Sequence, residues 1–100
     1  MVKSAPPIDF ECAESIALAG LTFLAEDPAR LGRFLALTGI GPQELRTKAS
    51  APEMLAAVLE HLLADESLLL VFAASKNVRP EAVQPAHALL AQGATRMGRP

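Results

Sequence analysis

The sequence predicts an all-α protein: a compact orthogonal bundle of five to six helices, built as two pseudo-repeated helix triplets. Three observations carry this expectation. Apolar residues make up 51% of the 100-residue chain and aromatics only 4%, so the core must be Leu and Ala with a few Val, Ile and Phe. Ala and Leu lead the helix-propensity order, and β-branched residues are scarce. Apolar positions recur at helical spacing between recognisable start and stop residues. Finally, the chain echoes itself at an offset of 38 residues. Leu21, Leu24, Asp27, Leu31, Phe34, Ala36 and Pro42 return as Leu59, Leu62, Asp65, Leu69, Phe72, Ala74 and Pro80.

Each element can be justified in turn. Residues 1–8 read as a flexible N-terminal arm. Asp9 is an N-cap, and Glu11 and Glu14 suit the positive end of a helix dipole. The first helix runs to about Glu26, with Ile16, Ala19, Gly20, Phe23 and Leu24 as its apolar stripe. Gly20 costs about 1 kcal/mol of helix propensity, a cost that close approach of a crossing helix can offset. Asp27-Pro28 is a fresh start, with Pro at a position where its missing N–H is harmless. The second helix carries Leu31, Phe34 and Leu35 inward and ends near Thr38, where Gly39 takes the left-handed conformation and Ile40 folds back.

Pro42 opens a short third helix to about Ala49. Ser50-Ala51-Pro52-Glu53 reads as a capping box for a fourth, with Leu55, Val58, Leu59 and Leu62 on one face. Asp65 restarts the chain as Asp27 does. The fifth helix contains Leu68 to Ala74, apolar around its circumference, as for a helix buried on all sides. Asn77, Val78 and Pro80 repeat the parts of Gly39, Ile40 and Pro42. The sixth helix spans about 80–92, kinked or delayed by Pro85 and ended by Gly93. Residues 9–93 thus form a single helical domain, and 94–100 read as a disordered tail.

Composition narrows the function classes. A net charge of −2 gives no bulk attraction to DNA or anionic lipid. The lone Cys12 has no internal partner, as expected in a reducing compartment, and no apolar run is long enough for a membrane span. A cytoplasmic protein with no membrane partner is expected. Charge alternates along the chain: acids dominate 9–27 and 53–66, bases 30–48 and 76–99. Pairing of Glu26 with Arg30 and attraction between neighbouring helices account for this pattern.

Candidate chemistry is sparse. His61 and Asp65 stand four apart, but no second ligand pair accompanies them, so no metal site is assigned; His61 reads as a surface residue and Asp65 as a cap. Glu26-Asp27 and Asp65-Glu66 could serve as acid–base pairs, but acids at helix starts have a plain electrostatic explanation. Cys12 sits in a first turn, where a thiolate is stabilised, without a companion base. There is no phosphate loop, nucleophile elbow or zinc spacing. No catalytic residue, cofactor or enzyme activity is assigned. The hairpins around Phe34–Leu45 and Phe72–Val83 outline a helix-turn-helix, which makes a nucleic-acid binder the alternative class, although the following helices lack the basic or amide-rich face such a protein needs.

The stretch from Thr22 to Gly39, with Leu62–Leu69 and Pro80-Glu81-Ala82, resembles the small alphaproteobacterial family of domains of unknown function numbered 3572. The most specific piece is Leu31-Gly32-Arg33-Phe34-Leu35 after Asp27-Pro28. The resemblance covers about 10–92, implies a bacterial protein of this length, and brings no activity, cofactor or site residue. Within that signature, packing explains Leu31, Phe34 and Leu35 but not Gly32 or Arg33. The expectation is a non-enzymatic protein-interaction or regulatory module, with an unidentified protein partner and a contact surface centred on Arg30, Gly32 and Arg33. The internal alternative is that Gly32 accepts a crossing helix while Arg33 pairs with an acid of the first or fourth helix. The two copies also differ: Arg30 and Arg33 correspond to Leu68 and Val71. The fifth helix is therefore expected to be the central pillar of a monomer, the alternative being a homodimer through Leu68–Phe72.

Overall fold

The structure, a computed structural model, describes residues 8–97, with side chains as far as 93. Six helices follow one another: α1 (Phe10–Ala25), α2 (Pro28–Thr38), α3 (Pro42–Thr47), α4 (Pro52–Leu63), α5 (Glu66–Lys76) and α6 (Pro80–Met97). No strand occurs among the described residues. The protein is an all-α bundle. The expected arm at 1–8 and tail at 94–100 lie largely outside the described residues.

Local chemistry sets the boundaries. The Asp9 carboxylate accepts the Cys12 N–H at 2.8 Å, Asp27 that of Ala29 at 3.0 Å, and Asp65 that of Leu68 at 3.2 Å. Each satisfies a donor that the first turn of a helix leaves unpaired. Gly39 (φ 77°) and Asn77 (φ 57°) end α2 and α5 in the left-handed region. After α5 the Val78 N–H reaches back to the Ala73 carbonyl at 3.0 Å, the long bond of a Schellman cap. After α2 a side chain stands in that place. The Thr38 hydroxyl donates to the Phe34 carbonyl at 2.7 Å and accepts the Ile40 N–H at 3.3 Å. Lys76, at the matching position, has no such hydroxyl.

The centre of the bundle is α4. Its Met54, Leu55, Ala56, Val58, Leu59 and Leu62 are buried, with α1 and α6 packed closely against it. From α1 come Ala13, Ile16, Ala17, Phe23 and Leu24; from α6, Val83, Ala86 and Leu90. Gly20 of α1 is where α4 crosses. A Cβ there would lie 3.1 Å from both Val58 Cγ1 and Leu62 Cδ1, so the close approach offsets the propensity cost.

Four expectations are corrected. The fifth helix is not the pillar. Only Phe72 and Ala73 of α5 are buried, while Leu70 and Val71 are each 49% exposed. A domain of this size has one centre, and α4 already fills it. Ser50 is not a cap: the N-cap is Ala51, without a side-chain hydrogen bond. The residue before a proline is driven to extended backbone, and Ala51 precedes Pro52, so the helix must start there.

Third, Gly93 does not end α6, which begins at Pro80, passes through Pro85 and continues to Met97. A Cβ at 93 would meet Phe10 Cε1 at 2.6 Å, so this glycine makes room for the α1 ring. Buried Val83, Ala86 and Leu90 on either side hold the helix across the hydrogen bond that Pro85 lacks. Last, Glu26 pairs with Lys76 of α5, and Arg30 pairs with Asp27, its Nε 3.7 Å from the carboxylate.

Candidate interaction surface

Helix α2 turns one side to the bundle and leaves the other bare. Phe34 is fully buried; Leu31 and Leu35 are half-buried beside it. The outer face reads Ala29, Gly32, Arg33, Ala36 and Leu37, at helical spacings of three and four, and every one of them is exposed. Leu37 is 66% exposed, the highest value for a large apolar side chain on the described surface. A Cβ at Gly32 would find no atom of the described residues within 4 Å. Ala29, Gly32 and Ala36 thus form a shallow floor flanked by a leucine and a guanidinium.

The three basic-face residues expected to act together are not equivalent. Arg30 is tied down: its guanidinium lies 4.0 Å over the Phe23 ring, and Nη1 donates to the Phe23 carbonyl at 3.1 Å. With the Asp27 contact, these bonds clamp the corner between α1 and α2. Arg33 is exposed and forms no ion pair with any described carboxylate, and Gly32 meets no helix. Neither part of the internal explanation for Gly32 and Arg33 has a contact among the described residues behind it.

Behind this face, Phe34 meets His61 of α4 edge to face, with centroids 5.2 Å apart. His61 is half-buried rather than a surface residue, and its Nε2 is buried without a hydrogen-bond partner. Burial holds its pKa below the usual 6.5, and the Arg33 charge pushes the same way, against a smaller opposing pull from Asp65.

The other candidates have structural places. Asp27 and Asp65 are caps, and Glu26 holds Lys76. Cys12 is exposed beside an apolar groove of about 850 Å³ between α1 and α6, lined by Ile8, Ile16, Val78, Ala82 and Leu89. At its rim Arg79 and Glu81 face each other at 3.5 Å. No three His, Cys, Asp or Glu side chains among the described residues could share a metal ion. The hairpin from α5 to α6 has the left-handed Asn77 and an inward Val83, but α6 carries no Lys or Arg between 80 and 93 to meet a phosphate. No described helix is long and apolar enough to cross a membrane.

Sequence reasoning missed Leu37, although a signal existed: it lies one turn beyond Arg33, on the polar side of α2. The Phe34–His61 contact had no sequence signal, because it joins two helices at a distance along the chain.

Fold and surface together define a small helical bundle whose second helix shows an exposed, underfilled outer face. The chain belongs to the family described as protein of unknown function DUF3572, whose profile matches residues 11–93, from the first turn of α1 well into α6. No curated protein and no solved structure matches it.

Proposed function

We propose that the chain is a non-enzymatic protein-interaction module whose contact surface is the outer face of α2, centred on Gly32 and Arg33 with Leu37. The observation that carries this reading is the empty space over Gly32. Glycine inside a helix costs about 1 kcal/mol relative to alanine, and no contact among the described residues offsets that cost here. Gly20 and Gly93, by contrast, each face a neighbouring side chain. A floor of small residues lets a partner helix approach closely, and an arginine without a carboxylate beside an exposed leucine offers that partner one charged and one apolar anchor.

Arg30 supports the surface from behind, by fixing α2 to α1. The exposed Cys12 thiol is in keeping with a reducing compartment such as the cytoplasm. The helix-turn-helix alternative has no comparable observation behind it.

The test is Arg33→Ala. Loss of partner capture with an unchanged melting temperature is the expected result. A clear drop in melting temperature would place Arg33 in the fold and remove the reading.

A further inference from the structure

The outer face of α5 is the counterpart of the outer face of α2, and the two are opposite in shape. Ser67, Leu70, Val71 and Ala74 are exposed along α5, with Leu70 and Val71 each 49% exposed. Where α2 has a hole at Gly32, α5 has a knob, Leu70, 38 residues further on. The two helices also lie on the same part of the bundle. Glu26, just before α2, meets Lys76 at the end of α5; Arg33 in the middle of α2 and Asp65 at the start of α5 both act on His61. Their buried residues, Phe34 in α2 and Phe72 and Ala73 in α5, face the interior, which leaves the hole and the knob outward.

We infer that the partner of the α2 face is a second copy of this chain, its α5 laid antiparallel on α2 with Leu70 and Val71 over Gly32. This rests on the reading of α2 as a contact surface and names its occupant. Packing of a side-chain knob into a hole between small residues is the ordinary way two helices interlock. Charge agrees with shape. With Leu70 opposite Gly32 in antiparallel register, Glu66 of the second copy falls one turn from Arg33. Both residues are exposed, and neither has an ion-pair partner among the described residues. Used twice about a twofold axis, α2 on α5 and α5 on α2, the contact closes a pair and covers both bare faces at once.

Light scattering on fractionated protein tests this. The wild-type mass is expected to rise from one chain to two with concentration. Gly32→Leu, which fills the hole, and Leu70→Ser with Val71→Ser, which remove the knob, are expected to lose the two-chain species while keeping the helical circular-dichroism signal. Arg33→Glu and Glu66→Arg should each weaken pairing alone, and an equal mixture of the two should regain it. Mixing restores only contacts between chains, so an Arg33–Glu66 pair within one chain would gain nothing. A single-chain mass at every concentration, or a two-chain species indifferent to Gly32→Leu, overturns the inference. A chain that stays single while Arg33→Ala still abolishes capture of a different protein overturns the self-pairing and leaves the α2 reading in place.

Discussion

Two glycines in helix interiors do opposite things. Gly20 sits where Val58 and Leu62 press to 3.1 Å of its missing Cβ. Gly20→Leu is expected to lower the unfolding free energy by about 1–3 kcal/mol through overpacking, read by denaturant titration. Gly32 has open space, so the same titration reads its helix propensity alone. His61 contributes a pH dependence to stability. Its folded pKa lies below 6.5, so the unfolded chain binds more protons in mild acid. The stability conferred by the neutral ring is complete above 6.5 and is lost as the pH falls below 6.5 toward the depressed folded value. An N–H gained at the unpartnered Nε2 would have no acceptor, with Arg33 nearby. Melting temperatures on either side of 6.5 should therefore fall with acid in the wild type and fall less in His61→Phe, which keeps a ring against Phe34. Equal losses in both would show that His61 is not the group whose protonation weakens the fold.

Among elements, the ends carry most of the specification. Asp27-Pro28, Asp65, Gly39 and Asn77 were legible in the sequence because a cap or a left-handed residue acts within its own turn. The capping box at Ser50 was misread because the restriction Pro52 places on Ala51 overrides a hydroxyl two positions upstream. Gly93 was misread because a glycine late in a helix pattern has two meanings, a stop or a space for a neighbour. Only the position of Phe10 in three dimensions separates them. Gly39→Ala forces a side chain into φ 77° and is expected to cost about 1–2 kcal/mol, measured as a shift in the urea midpoint at constant slope. Asn77→Gly, already left-handed and tolerant of glycine, is expected to move the midpoint far less.

At the scale of the whole molecule, the all-α bundle followed from composition and periodicity, but the choice of central helix did not. Both α4 and α5 are apolar enough to be a core, and periodicity alone does not say which one the others surround. The answer lies in Gly20, whose small size lets α1 settle on α4, and in α6, which packs along α4 rather than α5. That arrangement leaves Leu70 and Val71 exposed and turns the outer side of α2 into a surface that no described neighbour fills. Of the three residues picked from the sequence for that surface, Gly32 and Arg33 are open and Arg30 is a clamp. The difference depends on Phe23, seven residues before Arg30 and on another helix.

Gly32 is proposed to serve a contact outside the chain. The unfolding free energy of Gly32→Ala in dilute solution bears on it most directly. A rise of about 1 kcal/mol is expected, the helix propensity of alanine over glycine with nothing to oppose it. A fall would mean that part of the chain meets α2 at this position, and would contradict the claim.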